Sequence, residues 1–238
     1  MGDYVLEAEW TPVGRDRVFA STHVLLPRRA RIVVHADAVR AFETARLLER
    51  IKHPSVPRIY ECGLLPDDRP WLALGVVDGP TLATAIAERP LPIADVLAML
   101  VDLAAILAHA HAHGVVHGEV LADRIIQTPE GWRLGDWNEA TVATDTDTDV
   151  HALGVVAYGA LARTLPTLPL ARRCPNVPRD LAQLIDRMIV DPPDAAELAA
   201  ELTWLADGIV LPLDDDDLEV LTLDEIVVLR PSFCRRPS

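Results

Sequence analysis

The chain has 238 residues, of which half are apolar, and its 22 basic and 36 acidic side chains give a net charge of −14 with neutral histidines. That acidity argues against nucleic acid or an anionic membrane surface as partners, and the apolar half suffices for the core of one large domain or two small ones. No run of about 18 apolar residues marks a membrane span, the start Met-Gly-Asp-Tyr-Val-Leu-Glu has no signal-peptide pattern, and Cys62, Cys174 and Cys234 are few and scattered, so reduced thiols in a cytoplasmic protein are expected.

Three short strands are predicted first, over Tyr4 to Trp10, Arg17 to Ala20 and Arg31 to His35. Between the first two lies the turn Thr11-Pro12-Val13-Gly14-Arg15-Asp16. Ala38 to Ile51 has helical spacing, with Ala41, Ala45 and Leu48 on one side and Arg40, Glu43, Arg46, Glu49 and Arg50 on others. It is followed by Lys52, the only lysine of the chain. Arg58 to Leu65 and Trp71 to Val77 read as two more strands joined by a turn at Pro66-Asp67-Asp68, and Asp78-Gly79-Pro80-Thr81-Leu82 leads into a helix.

From Ile93 to His113 a long helix carries Leu97, Leu100, Val101, Ala104, Leu107 and Ala108 as a core-facing stripe. Its end holds His109, His111 and His113, with His117 beyond. A zinc site is one reading, since His109 and His113 share a face. No cysteine or carboxylate ligand lies nearby, and histidines suit a helix C-terminus electrostatically, so no metal site is expected.

The stretch from Gly114 to Gly154 organises the chain. It reads Gly-Val-Val-His-Gly-Glu-Val-Leu-Ala-Asp-Arg-Ile-Ile, a turn at Pro129-Glu130-Gly131, then Leu-Gly-Asp-Trp-Asn and, shortly after, Asp-Val-His-Ala-Leu-Gly. This resembles the catalytic centre of a bacterial Ser/Thr protein kinase whose catalytic groups have been replaced. A kinase reads His-Arg-Asp, then Lys two and Asn five residues after the Asp, and later Asp-Phe-Gly. Here the matching positions hold His117-Gly118-Glu119, Leu121, Arg124 and Asp136-Trp137-Asn138.

The resemblance divides these residues into machinery and framework. Phosphoryl transfer depends on positioned charges: an Asp that takes the hydroxyl proton, a Lys on the transferring phosphate, an Asn on the metal. Glu119 carries its carboxylate one methylene further out, and a misplacement of about 1 Å costs about a hundredfold in rate. Leu121 is apolar and Arg124 puts a cation where a cation should bind, so no catalytic or cofactor-binding residue is expected. Asp136 keeps a metal-type carboxylate able to hold ATP and magnesium weakly, but is read first as bonded to neighbouring backbone. His117 and Trp137 match an interlobe spine, and Asp149 matches the buried Asp that binds the catalytic-loop backbone.

Elsewhere the same resemblance makes the turn at Thr11 to Asp16 a poor phosphate cradle, leaves the third strand without a lysine near Val33 or Val34, and puts Thr44 where the αC helix would carry its glutamate. Ten residues separate Asn138 from Asp149, too few for an activation loop and peptide-docking segment. They include Thr144-Asp145-Thr146-Asp147-Thr148. The plain reading is a polar turn with Thr148 or Asp147 capping a helix from Val150 to Arg163. The sharper one is that Thr144 and Thr146, each with Asp three residues on, are phosphosites similar to those read by forkhead-associated domains. Leu165 to Pro178 is read as irregular, and Arg179 to Val190 and Ala195 to Ala206 as helices. The tail holds the acidic run Asp214 to Asp217, the β-prone Leu218 to Leu229 and a basic end. It is read as folding back on the domain in preference to pairing with a partner's sheet edge.

The expected fold is therefore α+β and two-lobed, with a small β-rich N-lobe over 1–77 bearing one αC-like helix, a mostly helical C-lobe over 78–208 with a shortened activation segment, and a tail over 209–238. The expected function is a degenerate, catalytically inactive pseudokinase, not an enzyme, serving as a cytoplasmic scaffold or regulatory module in bacterial Ser/Thr kinase signalling. Its expected partner is an active kinase or a phosphothreonine-reading domain, with no cofactor and no membrane insertion. Two alternatives stay open: an atypical nucleotide-binding phosphotransferase using Glu119 and Asp136, and an accessory protein acting through its tail.

Overall fold

A computed structural model describes residues 2–10, 15–143 and 145–208. The turn residues 11–14, Thr144 and the tail 209–238 lie outside the described residues, and with them the readings made on those positions.

The N-terminal part is a five-stranded antiparallel sheet in the order β1-β2-β3-β5-β4, formed by β1 (Tyr4–Glu9), β2 (Arg17–His23), β3 (Arg29–Val34), β4 (Ile59–Leu64) and β5 (Pro70–Gly75). Strands β2 and β3 extend further towards their hairpin than their apolar runs suggest. Their pairing continues to Thr22–Arg29, and the buried Ser21 hydroxyl donates to the Ala30 carbonyl at 2.8 Å. Alternation along the strands sorts the side chains by face. Tyr4, Phe19, Ile32, Val34 and Trp71 form a small core on one face, while Val18, Val33, Leu72 and Leu74 join the main core with Leu47, Leu48 and Ile51 of helix α1 (Ala38–Ile51). Asp37 caps α1 by accepting from Val39 N and Arg40 N, and Lys52 ends it in a left-handed conformation.

The rest is mainly helical: α2 (Leu82–Glu88), α3 (Ile93–Ala112), α4 (Asp147–Ala162), α5 (Leu170–Arg173), α6 (Arg179–Val190) and α7 (Ala195–Gly208). Between α3 and α4 run β6 (Val115–Val116), the β7–β8 hairpin (Ile125–Thr128 and Gly131–Leu134), a single 3-10 turn at Trp137–Glu139 and β9 (Thr141–Val142), which pairs with β6. The α3 helix is long and apolar enough to cross a membrane by length and composition. Met99, Leu100, Leu103, Ile106 and Leu107 are, however, buried in the main core, where α3 packs against α4, α7 and β8. Asp102 on its flank accepts from Trp132 N at 2.8 Å and anchors the hairpin. A β-sheet part on a helical part is the mixed architecture that the sequence predicts.

Two boundaries differ from expectation. Helix α4 begins at Asp147, so Asp147 and Thr148 lie in its first turn and neither caps it; Thr146 is the N-cap residue and makes no side-chain cap bond. The stretch 165–178 is not wholly irregular, since buried Leu170 anchors α5 and its N–H donates to Asp186 at 2.9 Å.

Two glycines of α4 test how tightly the helical part is packed. A Cβ on Gly154 would lie 2.8 Å from Met188 Cβ on α6, whereas one on Gly159 would meet nothing within 4 Å. Gly154→Val is expected to lose about 1–3 kcal/mol through overpacking. Gly159→Ala should gain about 0.5–1 kcal/mol from helix propensity. Urea midpoints of the two variants decide it, and a neutral Gly154→Val would show that α4 and α6 are not in close contact.

Candidate active site in the interlobe cleft

The centre of the site is built from backbone upward. After α3 the chain turns at Gly114, pairs briefly through β6, and enters the loop at His117 and Gly118. Gly118 has φ +81 and its ideal Cβ would lie 3.0 Å from Glu139 O, so this turn needs glycine. The carboxylate of Asp149, buried to 1% exposure on α4, accepts from His117 N and Gly118 N, each at 2.8 Å, and from His111 Nε2 at 2.9 Å. Burial alone would push the Asp149 carboxyl up, but these hydrogen bonds hold it below the ordinary carboxylate value. His117 is fully buried, donates from Nε2 to Gly135 O at 3.0 Å and accepts Glu119 N at Nδ1. Desolvation holds its pKa down, which matches a neutral ring. Its ring meets the buried Trp137 edge-on at 4.6 Å, and Trp137 Nε1 donates to Leu134 O.

Beside this framework two arginines meet a group of carboxylates. Asp136 takes a left-handed φ of 55 and, at 6% side-chain exposure, contacts two arginines: Arg31 Nη2 at 3.1 Å and Arg124 Nη1 at 2.9 Å. Its carboxylate is thus engaged by side chains and not by neighbouring backbone as expected. Arg124 also faces Glu119 at 3.6 Å and Asp123 at 3.7 Å. Leu121 is 44% exposed. Sequence reasoning missed Arg31. The resemblance implies a lysine near Val33 or Val34, yet strand alternation puts residue 31 on the same face as residue 33.

Helix α1 is tied to the segment after Asp136. Arg40 forms an ion pair with Glu139 and donates to Asn138 O at 3.1 Å, while Thr44 is buried and Glu43 exposed. The imidazoles at the end of α3 bind backbone and carboxylate: His109 Nε2 donates to Ile51 O at 2.7 Å, His113 Nδ1 to His109 O at 2.8 Å, and His111 to Asp149.

No protein-family model matches the chain. It is similar to the Ser/Thr protein kinase pkn2 of Myxococcus xanthus, 31% identical over an alignment of 156 residues that covers 60% of this chain and 19% of the relative. It is similar also to the Ser/Thr protein kinase PknL of Mycobacterium tuberculosis, 28% identical over 169 residues, 65% of this chain and 42% of that one. A third relative is the DNA damage-responsive Ser/Thr protein kinase RqkA of Deinococcus radiodurans, 26% identical over 155 residues, 61% and 23% of the two chains. The chain has a kinase-like fold. It spans less than half the length of these kinase relatives.

These similarities correct one expectation. The relatives are named as kinases, which are enzymes, so the expectation that this kinase-like chain is not an enzyme is overturned. A kinase-like fold also implies a divalent metal ion held by the residues at 136 and 124. The residues present do not fit that ion, because a guanidinium stands 2.9 Å from the Asp136 carboxylate where the metal would bind.

The hydrogen bonds to Asp149 carry a sign that can be checked. A carboxyl with a depressed folded pKa contributes stability above its unfolded value, about pH 4, and loses it as pH falls through the folded value. Asp149→Ala strands two backbone donors and His111, and is expected to cost about 3–5 kcal/mol at neutral pH. The gap between variant and parent in chemical denaturation should hold from neutral pH to about pH 5 and close at lower pH; a gap widening in acid would contradict this.

Proposed function

We propose that this kinase-like protein acts in bacterial Ser/Thr kinase signalling as a cytoplasmic regulatory module, through binding of other proteins and without a cofactor. The observation that carries this reading is the interval 139–148, whose described residues form part of a 3-10 turn, β9 and the start of α4 where a kinase would dock its peptide substrate. Thr146 stands at the N-terminus of α4, half-buried, with no side-chain cap bond. A phosphate there would lie at the positive end of a helix dipole and offer acceptor oxygens to an arginine-bearing reader. The partner is accordingly an active kinase, or a domain that reads the phosphothreonine. Thr144, the second candidate, lies outside the described residues.

A second reading has its own support. The relatives are named as kinases, in keeping with a phosphotransferase, for which Glu119 and Asp136 would be the carboxylates.

The experiment incubates the purified chain with an active bacterial Ser/Thr kinase domain and ATP, maps the phosphate, and titrates a forkhead-associated domain. Phosphorylation at Thr146 or Thr144 is expected to raise affinity by about tenfold or more, from new charge-assisted hydrogen bonds, and a Thr144→Ala, Thr146→Ala double variant should lose the gain. Absence of both phosphate and binding counts against the first reading. Transfer of phosphate by the chain alone, abolished in Asp136→Ala, would favour the second.

A further inference from the structure

Asp136 is the carboxylate at which the two arginines of the site meet. Its two oxygens face different cations, Oδ1 to Arg31 Nη2 and Oδ2 to Arg124 Nη1. The Arg124 guanidinium, 22% exposed, also faces Glu119 Oε2 at 3.6 Å and Asp123 Oδ2 at 3.7 Å, so one planar cation serves three carboxylates. Carboxylates gathered this closely repel one another unless a positive charge stands among them. Two kinds of cation meet that need: a divalent ion at about 2.0–2.6 Å from oxygen, or a guanidinium through its forked N–H groups.

We propose that Arg124 is the resident cation of the cleft. It occupies the position for which a magnesium or manganese ion would compete, and with Arg31 it makes the joining of the two lobes independent of metal. Geometry and chemistry both support this. Arg31 comes from β3 in the sheet part, whereas Asp136 and Arg124 belong to the helical part, so the cluster spans the cleft. A guanidinium stays charged throughout the physiological range and, being tethered, does not dissociate. A free ion must displace a group held at high effective concentration by its own backbone. The site is therefore a divalent-cation site filled from within, one substitution away from being vacated.

The test compares the full chain with its Arg124→Asn variant, in which a short neutral amide replaces the guanidinium. Mn2+ is the probe, followed by its EPR signal and by thermal unfolding in EDTA against rising Mn2+. In the parent, Mn2+ should leave Tm unmoved, and the ions bound should be unchanged by Asp136→Ala. In EDTA, Arg124→Asn should melt about 5 °C or more below the parent, and saturating Mn2+ should recover most of that loss, as expected for a ligand that binds only the folded state. The recovery should vanish when Asp136→Ala is added. Acidic residues elsewhere in the sequence, such as Asp214 to Asp217, are common to every protein compared and cancel.

Either of two results would overturn the proposal. One is saturable stabilisation of the parent by Mn2+ that depends on Asp136, which would mean that the metal coexists with Arg124. The other is a folded Arg124→Asn variant that binds no more Mn2+ than the parent. Should that variant not fold, Arg124→Gln preserves more of the side chain and is read in the same way, and the parent's EPR titration stands by itself as a test.

Discussion

Much of this molecule hangs on one buried carboxylate. Asp149 projects from the first turn of α4 and takes the amides of His117 and Gly118, so that a loop between two β-strands is held by a helix from another layer. His111, at the end of α3, donates to the same group, which ties α3, the loop and α4 at one point. A charge in so dry a place is tolerated because every bond to it comes from a fixed donor. Its removal would leave those donors buried and unpaired, a larger loss than the bonds themselves contribute. The position of His117 against Trp137, and of Trp137 behind Asp136, follows from this anchor.

Around that anchor the cleft differs from what a kinase-like frame implies. Three of its four central charges come from side chains whose type changes the chemistry: a glutamate at 119, an arginine at 124 and an arginine at 31. The similarity to named kinases and the altered charge set are both properties of this chain. The fold can be kept while the charges change because the framework residues and the charged ones make separate contacts. Asp149 and His117 bond chiefly to backbone, whereas among the described residues the Arg31 and Arg124 side chains pair with carboxylates.

The five N-terminal strands, α1, α3 and the positions of His117, Trp137 and Asp149 were legible in the sequence because each rests on a local pattern or a short motif, whereas the short strands β6 to β9 were not. Apolar alternation gave the sheet, and the spacing of Leu97, Leu100, Ala104 and Leu107 gave the long helix. What could not be read from spacing was who meets whom across the cleft. Arg31 and Asp136 are 105 residues apart in the chain, and no periodicity links them. The partner of His111 was hidden for the same reason, as was the tie from Arg40 to Asn138, 98 residues on. The start of α4 was misplaced because an Asp- and Thr-rich run suits a cap and a first turn equally well.

The brevity of the interval between Asn138 and Asp149 has a mechanical consequence. Its near end is moored to α1 through Arg40, its middle is stitched to β6 by two residue pairs, and its far end is already the root of α4. Among the described residues of this interval, the 3-10 turn, β9 and the first turn of α4 are each tied to a neighbouring element. An outward swing of α1 would pull, through Arg40 and β9, on the very strand that precedes His117, so leverage applied at the surface is passed towards the buried anchor.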